Sequence, residues 1–385
     1  MKRIYLDNAA TSFPKPKEVA DAVYKYMTEV GANINRGGYE AAYDLEGLVF
    51  ETREMLKDMF GGSDCKNVVF TKNVTESLNI VLKGFLKPGD HVLCSSMEHN
   101  AVMRPLVQLE KLGLEFDRIP GNDKGELELG KLESMIKPNT KAIVMTHASN
   151  LVGTVNPIAE VGEIAEKHGL KFIVDAAQTA GVFPIDMKAM KIDALCFTGH
   201  KSLLGPQGIG GFILDEDMID LVYPILSGGT GSISHTEEVP DFMPDKYEPG
   251  TMNLPGIVGL NASLKWIKEK GMDAIREHEL MLTGRLLDGL SPLEKSGLVK
   301  VFGLKGIDGR APVVSIQTLN IDCADAAFRL DSEFGIATRV GLHCAPAAHK
   351  TLGTYPVGTL RFSFGVFNTE AEVDAAIRAL CDICR

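Results

Sequence analysis

A regular alternation of short apolar runs with helical stretches dominates residues 68–214 of this chain. The apolar runs lie at residues 68–70, 91–94, 141–146, 171–174, 194–197 and 209–214. Most of the intervals carry apolar residues at helical spacing, which is typical of strand–helix–strand units whose strands form a mostly parallel sheet. Because ligands bind beyond the carboxyl ends of the strands in such sheets, we expect functional residues directly after these runs.

The pattern changes near residue 256, where short strands begin to alternate with helices in a different order. We therefore predict a large domain over residues 16–255 and a smaller domain formed by residues 1–15 and 256–385. The other predicted elements are helices at about 17–30, 40–60, 158–168, 256–290, 323–335 and 370–383 and strands at 299–302, 313–318 and 359–364.

The composition is that of a water-soluble globular protein. With 385 residues, 45% of them hydrophobic and 24% charged, the chain can bury one large core and a smaller one. The net charge of −11 and the lack of any lysine/arginine block argue against nucleic acid as a partner. No signal-peptide core follows Met1, and no apolar run is long enough to span a membrane, so we expect a cytoplasmic protein.

The seven cysteines are odd in number and scattered, which does not indicate a disulfide framework. Cys94 and Cys196 lie inside apolar strand runs, where we expect ordinary core residues. Cys381 and Cys384 end an amphipathic run, and we regard this lone CxxC pair as incidental. We therefore predict no metal site.

A glycine-rich turn at residues 198–211 joins two apolar runs and contains Lys201. A lysine held between buried strands has little water around it, which lowers its pKa, and a neutral amine is the form that makes a Schiff base with an aldehyde. Taken alone, such a turn is more often a solvated loop. Together with the polar residues that follow the other strands, it predicts that Lys201 carries pyridoxal phosphate (PLP).

Those polar residues supply the other groups that PLP catalysis needs. Asp175 follows a buried strand and fits the pyridine nitrogen, because a buried carboxylate needs a cationic partner; a strand-end cap is the alternative. Gln178 and Asn150 can hydrogen-bond the ring hydroxyl, and His99 can stack on the ring and move protons. Thr75 stands at a predicted helix N-cap, where free N–H groups bind phosphate, although it can also be a cap alone.

The motifs resemble those of one enzyme superfamily. Glu98-His99, His147-x-Ser149-Asn150-x-x-Gly153-Thr154, Asp175-x-x-Gln178 and His200-Lys201 occur in the order found in the class V aminotransferases, and within them in the cysteine desulfurases and selenocysteine lyases. The resemblance spans residues 7–369. It implies the fold of the fold-type-I PLP transferases, a large domain with a mostly parallel seven-stranded sheet between helices plus a smaller C-terminal α+β domain.

The resemblance also implies roles around the cofactor ring. Lys201 would be the Schiff-base lysine, His99 the stacking residue and Asp175 the partner of the pyridinium. Gln178 would lie near the ring hydroxyl, and Asn150 would contact the substrate or the ring.

The same resemblance implies a phosphate cup formed by Thr75, Thr198 and His200. Thr251 would reach across from a second subunit to complete it. That assignment implies an obligate homodimer.

A loop at residues 339–346 resembles the loop that carries the desulfurase nucleophile, in the branch where that loop is short. Cys344 would attack the substrate sulfur, leave an enzyme persulfide and release alanine. An exposed thiol beside His343 and Arg339 is expected to ionise more readily than a buried one. The alternatives are a packed cysteine and a metal ligand together with His343 and His349.

Arg361 interrupts an apolar strand with a permanent charge. A buried guanidinium needs a planar anion, and the carboxylate of an amino acid is one, although a structural ion pair is the alternative. By resemblance Arg361 anchors the substrate carboxylate, and we assign Arg339 to the substrate as well.

These features together predict a PLP-dependent cysteine desulfurase that converts L-cysteine to L-alanine and passes persulfide sulfur to an acceptor protein, as in iron–sulfur cluster biogenesis. A selenocysteine lyase acting on L-selenocysteine is the nearest alternative. A class V aminotransferase or β-lyase would not need Cys344, and a catalytically silent protein of the same fold would not need the full set of residues. Val74 and the loops at 13–16 and 35–38 depart from the desulfurase pattern, which indicates a less typical branch.

Overall fold

The fold is described by a computed structural model that covers residues 3–34, 37–233 and 235–384. Asn35 and Arg36, in one of the loops that depart from the family pattern, lie outside the described residues. The strands are β1 (Ile4–Tyr5), β2 (Val68–Thr71), β3 (His91–Ser95), β4 (Glu115–Ile119), β5 (Thr140–Thr146), β6 (Lys171–Asp175), β7 (Ala194–Thr198), β8 (Gly210–Leu214), β9 (Val299–Phe302), β10 (Val313–Thr318), β11 (Ile336–Ala337), β12 (Arg339–Gly341) and β13 (Thr359–Ser363).

Helices pack on both faces of the central sheet, and further helices lie in the C-terminal part of the chain. They are α1 (Lys17–Lys25), α2 (Glu40–Phe60), α3 (Val74–Phe85), α4 (Asn100–Glu110), α5 (Ile158–Lys167), α6 (Glu216–Ile219), α7 (Leu254–Lys270), α8 (Met272–Lys295), α9 (Cys323–Phe334), α10 (Pro346–Thr351) and α11 (Glu370–Ile383). In the described residues, no helix is both long enough and apolar enough to cross a bilayer.

A seven-stranded sheet forms the centre of the molecule, in the order β2-β8-β7-β6-β5-β3-β4. Strand β8 is antiparallel to β2 and β7, whereas the other neighbours are parallel. Helices on both faces keep water away from the inner strands, which is why β7 and β8 are continuous buried runs instead of alternating ones. The predicted mostly parallel sheet is confirmed.

A second, antiparallel sheet has the order β12-β13-β10-β9. Its apolar side chains pack with α8, α9 and α11 into a cluster separate from the core of the large sheet. Strand β1 pairs in parallel with β11, so the N-terminus belongs to this region. The strands and helices predicted after residue 298 are found within one or two residues of their predicted bounds.

Strands β4, β11 and β12 and helices α4, α6 and α10 have no predicted counterpart, and one predicted helix ends differently. The helix predicted over 17–30 is α-helical only to Lys25 and ends as one wider turn of π type over Tyr26–Val30. Gly31 closes this turn with φ +55°, a left-handed conformation that favours glycine. The predicted domain boundary at 255/256 falls within the first turn of α7, and this helix packs on α1 and α2 of the large region; the boundary stays a prediction.

A buried ion pair fixes the segment that precedes α7. The guanidinium of Arg53 in α2 lies 2.6 Å from a carboxylate oxygen of Glu248, and both side chains are almost fully buried. The other carboxylate oxygen accepts the backbone N–H of Phe70 at 2.7 Å. The segment that carries Thr251 is thereby attached to β2 and α2.

Removing one partner of this pair should destabilise the fold strongly. We expect Glu248→Ala to lower the free energy of unfolding by about 3–5 kcal/mol, because the Arg53 charge would stay buried without a counter-charge. The double variant Arg53→Met/Glu248→Leu should lose less than Glu248→Ala alone. Urea unfolding followed by circular dichroism would measure both changes, and a double variant as unstable as the single one would contradict this account.

Candidate active site

The carboxyl ends of β3, β6 and β7 bring three predicted residues close enough for the charge of Lys201 to act on both His99 and Asp175. His99 follows β3, Asp175 ends β6 and Lys201 follows β7. Burial lowers the pKa of Lys201 to about 8; the nearby Asp175 opposes that shift, whereas Arg361 and Arg339 reinforce it. At this pKa about a tenth of the Lys201 amine is neutral at pH 7, far more than for an ordinary lysine, and the neutral amine is the form that reacts with an aldehyde.

Asp175 is 2% exposed. Its Oδ1 accepts the backbone N–H of Ala177 at 2.9 Å, and burial raises the pKa of the carboxyl group, while that hydrogen bond and the charge of Lys201 lower it. Asp175 therefore makes the hydrogen bond expected of a strand-end cap, which was its alternative role. A protonated pyridine nitrogen is the kind of cationic partner that would keep such a carboxylate ionised.

His99 caps α4 through its ring. Nδ1 accepts the backbone N–H of Ala101 at 3.0 Å, so the proton of the neutral imidazole is on Nε2. Burial lowers the pKa of His99 to about 3, and the charges of Lys201 and Arg339 add to the effect. The ring is therefore neutral at physiological pH, with its orientation fixed by the helix.

The two amides predicted near the cofactor ring connect the pocket to other parts of the chain. Gln178 Nε2 donates to the carbonyl of Ala9 at 3.2 Å. Asn150 Nδ2 donates to the carbonyl of His343 at 2.7 Å, and the carbonyl of Asn150 accepts from Arg361 Nη1 at 2.9 Å. Asn150 thus touches both the nucleophile loop and the predicted carboxylate anchor, a role that the sequence did not indicate.

The prediction that Thr75 is the N-cap of α3 is wrong. Asn73 is the cap, and its Oδ1 accepts the backbone N–H of Glu76 at 3.0 Å. Thr75 is exposed in the first turn of the helix, two positions beyond the N-cap. An asparagine three residues before a glutamate is itself a capping signal, and that spacing could have identified Asn73.

Two buried polar atoms beside Lys201 lack partners. Thr198 Oγ1 and His200 Nδ1 find no hydrogen-bond partner in the described chain. Burial lowers the pKa of His200 to about 4, with Lys201 and Lys15 contributing. Orphaned hydrogen-bonding groups at a strand end, near the N-terminus of α3, fit a phosphate. The residues present therefore fit PLP.

The predicted carboxylate anchor carries its own counter-ion. Arg361 is 1% exposed, and its Nη2 lies 2.7 Å from Oδ1 of Asp7. Asp7, which follows β1, was not predicted as a site residue, although a carboxylate directly after an apolar strand was the signal used for Asp175. Arg339 lies directly opposite Arg361 across the β12–β13 pair. Like charges facing each other across a sheet are unfavourable, which a bound carboxylate would relieve.

Cys344 is exposed on a loop with an uncommon backbone. His343 and Cys344 have φ values of +47° and +58°, and the carbonyl of Cys344 accepts the backbone N–H of Asn100 at 2.8 Å. Arg339 Nη2 lies 3.8 Å from the thiol sulfur. Left-handed non-glycine residues persist only where the surroundings hold them, as the contacts of Asn100 and Asn150 do here.

His343 does not supply the positive charge expected beside the thiol. Its ring is buried, with Nε2 3.1 Å from the carbonyl of Thr359, and it stacks on His349 with ring centroids 5.8 Å apart. Burial lowers the pKa of His343 to about 2, with Arg361 and His349 adding to the effect, so the ring stays neutral. Arg339 is the cation beside Cys344. In the described residues, no three histidine, cysteine or acidic side chains are arranged to hold a metal ion.

The chain belongs to the class-V aminotransferase family, whose model matches residues 4–376. A protein of Pyrococcus abyssi named as a probable cysteine desulfurase is 35% identical over 389 residues, covering 99% of this chain and 94% of that protein. The apo structure of a cysteine desulfurase from Thermococcus onnurineus NA1 has a TM-score of 0.91 at 35% identity, covering 99% and 94% of the two chains. A crystal structure of an Escherichia coli cysteine desulfurase has a TM-score of 0.87 at 28% identity, with the same coverage.

Replacing the buried Lys201 with an uncharged residue should stabilise the fold, and this gain should be larger at pH 7 than at high pH. The folded PLP-free protein binds the Lys201 proton less tightly than the unfolded chain, so the charged lysine destabilises the fold below pH 8, and this cost disappears as the pH rises towards about 10.4. We expect Lys201→Met to raise the free energy of unfolding by about 2 kcal/mol at pH 7. Urea unfolding at pH 7 and pH 10.5 would measure the difference, and a loss of stability at both would contradict it.

Proposed function

We propose that this protein is a PLP-dependent cysteine desulfurase that removes sulfur from L-cysteine, giving L-alanine and a persulfide on Cys344. One observation carries the proposal: the N-terminus of α4 orients the ring of His99, on which the charge of Lys201 acts, and also holds the carbonyl of Cys344 through the backbone N–H of Asn100. The buried lysine and the exposed thiol therefore lie close to the same helix end. The desulfurase names of the relatives support the same activity.

When bound, PLP supplies an electron-withdrawing ring that makes the substrate α-carbon acidic. The residues for this chemistry are present in the pocket. Lys201 would hold the cofactor and move the proton of the substrate α-carbon at its Nζ, which is suited to this task by a pKa of about 8. Asp175 would keep the ring nitrogen protonated, and the neutral ring of His99 would stack on the cofactor.

The remaining cofactor contacts are also proposals. Thr198 and His200 would bind the phosphate with their unpartnered polar atoms, together with the first turn of α3, where Thr75 lies. Gln178 would lie near the ring hydroxyl. Its amide donates one N–H to the carbonyl of Ala9, and the rest of the amide would be available to the cofactor.

The sulfur step needs no external oxidant. The Cys344 thiolate attacks the sulfur of bound cysteine, a sulfur–sulfur bond forms and the bond between that sulfur and its carbon breaks. The carbon takes the electron pair and then a proton, which gives alanine. Arg361 and Arg339 would hold the substrate carboxylate, and Asn150 would fix both Arg361 and the Cys344 loop during this step.

The assembly we propose is a cytoplasmic homodimer in which Thr251 reaches the phosphate of the neighbouring subunit. Large exposed apolar side chains on and beside α1 and α2 support a buried contact there, because contact with a second subunit would remove them from water. They are Tyr24, Met27, Tyr39, Tyr43 and Phe50. The persulfide would go to an acceptor protein, with iron–sulfur cluster assembly as the proposed destination.

Loss of the thiol should separate cofactor binding from sulfur release. We expect Cys344→Ala to keep the absorbance of the bound cofactor but to lose at least about 100-fold in alanine and sulfide formation from cysteine with dithiothreitol, because the nucleophile is absent. Cys381→Ala is the matched control and should keep full activity. Selenocysteine should be assayed in parallel. Unchanged desulfuration by Cys344→Ala would overturn the proposal, whereas continued selenocysteine turnover alone would favour the lyase reading.

Arg339 should contribute both to substrate binding and to the sulfur step. We expect Arg339→Gln to raise KM for cysteine and to lower kcat, because this side chain is close to both the carboxylate site and the Cys344 sulfur. Arg339→Lys keeps the charge and should recover part of kcat but little of KM, since lysine cannot bind a carboxylate in the bidentate way. Steady-state alanine formation measures both constants, and an unchanged KM in Arg339→Gln would remove Arg339 from the substrate site.

A further inference from the structure

A groove begins directly beside the Cys344 loop. It lies between α4 and α10, has a volume of about 530 Å³, and is lined among others by Asn100, Arg104, Arg118 and Lys350. The backbone N–H of Asn100 holds the carbonyl of Cys344, and α10 begins two residues after Cys344. The groove, called here the α4–α10 groove, is therefore continuous with the loop that carries the exposed thiol.

The charge of this groove is opposite to that of the protein as a whole. Arg104, Arg118 and Lys350 are exposed, and none of them forms an ion pair with a carboxylate in the part of the chain that the structure describes. The groove has no acidic residue in its lining, although the chain carries a net charge of −11. A local concentration of unpaired cations beside a reactive group attracts anionic partners and orients them.

Apolar surface lies between these cations. Met103 is buried in the lining and Val107 is partly exposed in it. The guanidinium of Arg118 lies 5.0 Å from the ring centroid of Phe116, an arrangement that holds this side chain against an aromatic face. A mixture of apolar floor and cationic rim suits an acidic polypeptide segment better than a free ion.

We propose that the α4–α10 groove binds an acidic segment of the protein that accepts sulfur from Cys344. The proposal rests on the proposed desulfurase function. The thiolate of a cysteine in that segment would attack the outer sulfur of the Cys344 persulfide, the sulfur–sulfur bond would break, and Cys344 would leave as a thiolate. The acceptor cysteine becomes the persulfide, so electrons balance without a further reactant.

Other occupants fit this groove less well. In a two-fold contact between copies of this chain through the groove, the cations of one copy would face those of the other. Three cations are also fewer than the six to ten phosphate contacts, roughly, of a typical nucleic-acid site. The carboxylate of free cysteine already has Arg361 and Arg339 in the pocket.

The test uses synthetic twelve-residue peptides that contain one cysteine among glutamate, glutamine or lysine residues. The holoenzyme is loaded with labelled sulfur from cysteine, and transfer of the label to each peptide is timed at low ionic strength. We expect the glutamate peptide to react about tenfold faster than the glutamine peptide and the lysine peptide to react more slowly, with the difference lost at high salt.

The variant that tests the groove is Arg118→Glu/Lys350→Glu, which leaves Arg104 in place because the charge of Arg104 acts on His99. It should lose the preference for the glutamate peptide and favour the lysine peptide. Arg118→Gln/Lys350→Gln is a milder variant that should fold even if the double reversal does not, and it should show an intermediate preference. Lys188→Glu/Lys295→Glu changes the same charge at two exposed positions outside the groove lining and should react like the unaltered enzyme.

Alanine formation with dithiothreitol, a small uncharged acceptor, separates the two proposals. Normal alanine formation together with equal rates for all three peptides would overturn the groove proposal and leave the desulfurase function intact. A preference for glutamate that is undiminished in Arg118→Gln/Lys350→Gln would also overturn it, because the acidic segment would then bind elsewhere. Absence of labelled sulfur on Cys344 would overturn the desulfurase function itself.

Discussion

The exclusion of water from the carboxyl ends of β6 and β7 is the constraint on which the site depends. Burial alone moves the pKa of Lys201 downwards and that of Asp175 upwards. The lysine thus approaches the neutral form that reacts with an aldehyde, and the carboxylate gains a need for a cationic partner such as a protonated ring nitrogen. The fully buried strands and the helices on both faces of the sheet produce this desolvation, so the chemistry of the pocket follows from the layer architecture of the fold.

The N-terminal segment joins the two regions of the molecule at this pocket. β1 pairs with β11 in the smaller region, and Asp7 pairs with Arg361. A few residues further on, Ser12 Oγ donates to the carbonyl of Lys201 at 2.8 Å. A single short stretch therefore fixes both the predicted carboxylate anchor and the turn that carries the lysine. Asp7 offsets the cost of burying Arg361, which leaves the guanidinium available in a fixed orientation.

Most of the longer elements could be predicted from the sequence because their signals are local, whereas the half-exposed edge strand β4 carries no clear apolar run and was not predicted. Apolar runs located the strands, and the rule that parallel strands present their carboxyl ends at one edge brought Asp175 and Lys201 together before any coordinates were known. Contacts between distant residues carry no such signal. The pairing of Asp7 with Arg361 spans 354 residues, and the turning of His343 away from its expected role depends on Thr359 in another strand, which local pattern does not reveal.

The N-terminus of α4 links the two halves of the proposed chemistry. His99 caps this helix through Nδ1, and the next residue, Asn100, donates its backbone N–H to the carbonyl of Cys344. The ring of His99 and the Cys344 loop are therefore held at the same helix end, through hydrogen bonds made by neighbouring residues of α4. Because both hydrogen bonds are made to the same end of α4, a displacement of the Cys344 loop would be opposed by the element that orients His99. In the proposed mechanism, the thiol that attacks sulfur and the ring that stacks on the cofactor would therefore be positioned by one helix end, and that contact holds the two left-handed residues of the exposed loop in place.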